Sequence, residues 1–125
     1  MPKQGRNRGQ ISAEGQADLA AAQLAVGAGW GATGSAAFTS GANDVAGQVV
    51  VTAAGGTYAQ ATATVTITFK SAYAATPRAV IVTCVNGVAI DTGHVSYAVT
   101  TTSLVLTYKV LPAAGAYTFD YLVIA

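Results

Sequence analysis

The stretch "ATATVTITF" (residues 61–69) alternates without interruption. A β-strand turns successive side chains to opposite faces, so Ala63, Val65, Ile67 and Phe69 share one face and Thr62, Thr64, Thr66 and Thr68 the other. One apolar face and one hydroxyl face describe a strand half-buried in a sheet. The chain around it repeats the pattern.

Working outward, further strands are expected at "GQVVVTA" (47–53), "RAVIVTCV" (78–85), "HVSYAVT" (94–100), "SLVLTY" (103–108) and "AYTFDYLVI" (116–124). Turn chemistry separates them: Gly55-Gly56, "TPR" (76–78), Asn86-Gly87, Thr100–Thr102 and "PAAG" (112–115). Short strands at this spacing predict an all-β fold, an antiparallel β-sandwich of jelly-roll-like type over 28–125. The closing strand is unusual. Tyr117, Phe119, Tyr121 and Val123 fall on one face, while the other carries Thr118 and Asp120 but ends in Leu122 and Ile124.

Two segments precede the sandwich. Residues 1–11 form an extended arm with Lys3, Arg6 and Arg8, no acid, and nothing apolar between Pro2 and Ile11. That composition cannot fold alone. Residues 12–27 read as a short helix and linker: Ser12 is an N-cap candidate, Glu14 and Asp18 suit the early turns, and Gly27 is a stop. Its apolar stripe (Leu19, Val26, with Leu24 beside them) is narrow, so it must dock on something.

With 125 residues the chain builds one core. Charged residues make up 9% of it, against about 25% in ordinary soluble domains. Alanine (27), threonine (16), valine (15) and glycine (14) take their place. A surface so poor in charge suits a shared interface. Half of the six Lys and Arg residues lie in the arm, and residues 19–125 are neutral, so only the arm could offer a field to nucleic acid; nucleic acid is not the expected partner. No run of about 20 strongly apolar residues reads as a membrane span, and residues 9–18 are too polar for the apolar core of a signal peptide.

No catalytic site is legible. Asp91, His94 and Ser96 supply triad residue types within six positions, but neighbours on one strand face opposite ways. Asp44, Asp91 and Asp120 are isolated carboxylates, and Asp44 in "SGAND" reads as turn chemistry. Cys84, the one cysteine, sits in "AVIVTCV" as a buried thiol. One His and one Cys make no metal-ligand spacing. "GAGWGATG" (27–34) lacks the lysine of a phosphate loop and reads as a lead-in to the sandwich, with Trp30 as its plug. Neither an enzyme nor a cofactor or metal is expected.

"GWG", "DVAGQVVVTA", "ATVTITFKSAYAATPRAVIVT", "YAVTTTSLVLT" and "AGAYTFDYLVIA" together resemble the β-sandwich domain carried by structural proteins of tailed bacteriophages. The likeness covers about residues 29–125 and rests on composition, such as an aromatic-rich closing strand and Pro-Arg before an apolar one. It implies a virion structural protein with no catalytic residues. With an arm and a short helix ahead of the domain, the chain is more similar to a capsid decoration protein than to a fibre tip. The expectation is therefore a protein made in the host cytoplasm and carried on the capsid surface. It would bind the major capsid protein through Lys3, Arg6, Arg8 and Ile11. It would be a homo-oligomer, a trimer first, with Trp30, Tyr121, Leu122 and Ile124 at the subunit interface. The alternative is a receptor-binding module of a phage tail.

Overall fold

In the computed structural model, which describes residues 17–87 and 95–125, the alternation at 61–69 becomes β4 (Thr64–Thr68), preceded by a 3-10 turn at Gln60–Thr62. The other strands are β1 (Leu24–Val26), β2 (Ser35–Phe38), β3 (Ala46–Ala53), β5 (Ala79–Gly87), β6 (Val95–Val99), β7 (Ser103–Tyr108) and β8 (Gly115–Ile124). They form two antiparallel four-stranded sheets, ordered β1-β4-β7-β6 and β2-β3-β8-β5. The protein is an all-β sandwich.

Alternation sets what each sheet buries. Ala63, Val65, Ile67 and Phe69 go inward with Leu104, Leu106 and Tyr108 of β7. From the other sheet come Val49, Val51 and Ala53 of β3, Val80 of β5, and Tyr117, Phe119, Tyr121 and Val123 of β8. These residues form one continuous core. β8 is the spine of its sheet: β3 pairs with it from Ala46↔Leu122 to Ala53↔Gly115, and β5 from Ala79↔Ile124 to Gly87↔Tyr117.

Four sequence expectations are corrected. The described part of the 12–27 segment holds no α-helix: residues 17–20 are irregular, Ala21–Gln23 makes a 3-10 turn, and Leu24–Val26 is already strand β1. A narrow apolar stripe gives a helix little to bury, whereas pairing with β4 (Leu24↔Ile67, Val26↔Val65) satisfies backbone groups on both strands. The sandwich thus begins at Leu24, not at residue 28. Asn86-Gly87 is not a turn but the end of β5, still paired with Thr118 and Tyr117 after a register shift between Cys84 and Asn86. Cys84 is half-buried against the edge of the core rather than sealed within it. The other turns behave as read: Gly55 and Gly56 take positive φ (89° and 71°), where a side chain would be strained. The β6–β7 corner is closed by the Thr100 hydroxyl, which accepts the N–H groups of Thr102 and Ser103.

Candidate interaction surface

Trp30 organises the interior. Its ring is 0% exposed, stacked on Tyr108 (centroids 5.8 Å apart, planes 13° apart) and tilted against Tyr117 and Phe119 at 5.2 and 6.1 Å. Its Nε1–H donates to the Thr64 carbonyl at 3.0 Å, so the indole is buried with its polar atom satisfied. The flanking glycines bring the loop close enough: a Cβ on Gly29 would collide with the Ala59 carbonyl and the Ala63 amide, and one on Gly31 with the Ala54 carbonyl. Trp30 is therefore a core plug and is removed from the set of subunit-interface residues.

Tyr121 is removed for the same reason. It points inward, 3% exposed, and its hydroxyl donates to the Asn43 carbonyl at 2.6 Å. Burial, then the Asp44 charge and Tyr73, push that hydroxyl's pKa far above its ordinary value, so it stays a donor. Asn43 and Asp44 are the buried polar residues of this end of the sandwich. The Asn43 side-chain oxygen accepts the N–H groups of Val45 and Ala46. The Asp44 carboxylate accepts those of Lys70 (2.7 Å) and Ser71 (2.9 Å), and Tyr73 donates to the Asp44 carbonyl. Tyr73's pKa is also raised, by burial and then by Asp44. This knot ties the β2–β3 loop to the loop after β4. Asp44 is turn chemistry, but with a second loop as its client.

The outer face of the β2-β3-β8-β5 sheet is different. Leu122 and Ile124 are half-buried there, beside their β5 neighbours Ile81, which is 51% exposed, and Ala79, and beside Ala46 of β3. Next along β8 the face turns polar: the Thr39 hydroxyl donates to Gln48 Oε1 (2.9 Å), and Gln48 Nε2 donates to Asp120 Oδ1 (2.8 Å). With residues 39–43 and Ala46–Gln48 this ladder walls an open cleft of about 320 Å³. A second cleft, of about 450 Å³, lies along the Gly27–Gly34 loop and is lined by small residues.

The proposed arm residues Lys3, Arg6, Arg8 and Ile11 lie outside the described residues, as do Asp91 and His94. Ser96 is exposed on β6, an edge strand. The Asp44 and Asp120 carboxylates are separately engaged, by backbone amides and by Gln48. Among the described residues there is no cluster of three His, Cys, Asp or Glu side chains, and no helix long and apolar enough to cross a membrane. Sequence reasoning missed Ile81 and the Thr39–Gln48–Asp120 ladder. Both depend on which strands become neighbours, and β3 and β8 lie far apart in the sequence. Comparisons with known protein families, curated proteins and solved structures find no match.

Proposed function

We propose that the protein is a non-enzymatic structural component of a tailed-phage particle, a decoration protein. It associates with copies of itself through the outer face of β3, β8 and β5, and holds the major capsid protein through its basic arm. The observation that carries the self-association is the apolar row Ile81, Leu122 and Ile124 on the outer face of this sheet, with Ile81 51% exposed and Leu122 and Ile124 half-buried. Burial of such a row is favourable, and exposed it is a sticking point. Charge supports the same reading, since Asp120 is the one side chain of β8 charged at neutral pH and lies beside the row rather than in it. Copies can therefore meet there without opposing like charges directly. A trimer remains the first arrangement to test.

The phage setting rests on the likeness of residues 29–125 to virion sandwich domains. The jelly-roll-like kinship rests on the chain crossing between sheets at every connection except β2–β3 and β6–β7. Arg and Lys of the arm suit capsid carboxylates, with each exposed pair contributing about 0.2–1 kcal/mol, so several arms held together bind far better than one. The test is addition of the purified protein to undecorated phage capsids. Saturable, symmetric coating is expected, and deletion of residues 1–10 should abolish it while leaving the melting temperature unchanged. Binding to cell-surface glycans without any affinity for capsids would transfer the protein to the receptor-binding class.

A further inference from the structure

We infer that β5 is a docking edge for a second copy of this chain, the two β5 strands pairing antiparallel about a two-fold axis at Ile81. Two sheets of four strands then become one of eight. The inference rests on the self-association reading above, and gives it a strand, a register and a two-fold symmetry in place of a three-fold one. The edges of the two sheets are unequal. β1 has three residues, β2 four and β6 five, whereas β5 has nine. Among the described residues β5 pairs on one side only, with β8. An edge of that length presents a row of unpaired backbone groups to any other strand, unless charge or proline guards it. Ala79–Gly87 contains neither.

The side chains are apolar where a partner would sit. Among the described residues four large hydrophobic side chains are exposed, and three of them lie on this side wall of the sandwich. Ile81 (51%) and Val85 (54%) are on β5, and Tyr97 (41%) is on β6, which packs beside β5 in the facing sheet. At the opposite wall, where β1 meets β2, Leu24, Val26 and Phe38 are half-buried. One wall is closed by the chain itself and the other is not.

A second copy is the occupant that register, charge and area fit. β5 is regular up to the register shift after Cys84. A two-fold at Ile81 uses that regular part: Ile81 faces the partner's Ile81, Ala79 the partner's Thr83 and Val80 the partner's Val82, with no charge in any pair. Ala46, Leu122 and Ile81 already form one row across β3, β8 and β5, and the axis continues that row into its mirror sequence on the partner. The wall is about 30 Å long at strand rise and, with sheets about 10 Å apart and side chains beyond each, about 20 Å wide. Roughly 600 Å² per copy reaches the total of about 1,200 Å² at which stable interfaces begin.

Ile81→Cys in the full chain, mildly oxidised at micromolar concentration, reads the axis directly, because a residue on the two-fold meets its own mate within disulfide reach. More than half of the protein is expected as a covalent dimer on non-reducing gels. The wild type, with Cys84 as its one thiol, should give less than a tenth, since this register keeps the two Cys84 residues about 20 Å apart. Ala79→Cys and Thr83→Cys should link to each other in a mixture and not to themselves. Ile81→Lys should sediment as a folded monomer with a cooperative melt, and if it fails to fold the Ile81→Cys yield decides alone. A wild type that sediments as an oligomer while Ile81→Cys links no better than the wild type would overturn the edge and leave the self-association reading standing. A wild-type trimer would overturn the two-fold in the same way. A monomeric wild type would sink both.

Discussion

The two faces of β8 are built from one ten-residue strand and have opposite characters. Inward, Tyr117, Phe119, Tyr121 and Val123 are sealed against Trp30, the Asn43 carbonyl and the facing sheet. Outward, Thr118, Asp120, Leu122 and Ile124 are half-buried, and beyond the Gln48 contact the strand's outer side meets neighbouring side chains of its own sheet. The inner face specifies the fold, because aromatic rings of fixed shape and satisfied polar tips accept one arrangement. The outer face is free to specify an association, since side chains there can change without disturbing the core. Substitutions on the two faces should therefore separate stability from assembly.

The largest effect is expected inside. Trp30→Ala leaves a hole among Tyr108, Tyr117 and Phe119 and should cost about 3–5 kcal/mol, a large part of the stability of a domain this size. Thermal or urea unfolding measures it, and a loss below about 1 kcal/mol would break the inner-face account.

Tyr121→Phe keeps the ring but removes the hydrogen bond from the Tyr121 hydroxyl to the Asn43 carbonyl, for an expected cost of about 0.5–1.5 kcal/mol at neutral pH. The same hydroxyl predicts an alkaline limit. With the folded-state pKa raised for Tyr121 and Tyr73, the unfolded chain loses these protons first, from about pH 10 upward, and stability falls as pH rises through that range. Below about pH 10 both states keep the proton and the contribution is complete. Urea unfolding between pH 8 and 11 should show the decline in the wild type and a shallower one in Tyr121→Phe.

A small effect is expected at Thr57, a non-glycine residue at φ 61° after Gly55-Gly56. Thr57→Gly relieves a left-handed backbone that costs a β-branched residue about 1–2 kcal/mol, less the added freedom of the unfolded chain, so a net gain of up to about 1 kcal/mol is expected. Differential scanning calorimetry resolves it, and a drop in melting temperature would contradict it.

How much of this was legible follows the same division. Strict alternation made β4 and both faces of β8 readable, because period two is local information. Val65, Ile67, Phe119 and Tyr121 went where the pattern placed them. The weak element β2, "SAAF", was not legible, since small side chains alternate without contrast. Nor was β1, whose strand state depends on the β4 edge it joins. Trp30 was read both as a plug and as an interface residue, and only the packing of two sheets around it decides between them. On the candidate surface, Leu122 and Ile124 stood out from parity alone. Ile81 needed the β5–β8 register to become their neighbour, and the Thr39–Gln48–Asp120 ladder needed β3 beside β8.

The most direct test of the outer face is sedimentation velocity at micromolar concentration on the wild type and on Leu122→Asp. At a half-buried position on the outer face the substitution should cost about 1–3 kcal/mol, leaving the protein folded with a cooperative melt. The wild type should sediment as a defined oligomer and the variant as a folded monomer. Two folded proteins sedimenting identically would contradict the claim that this face joins copies of the chain.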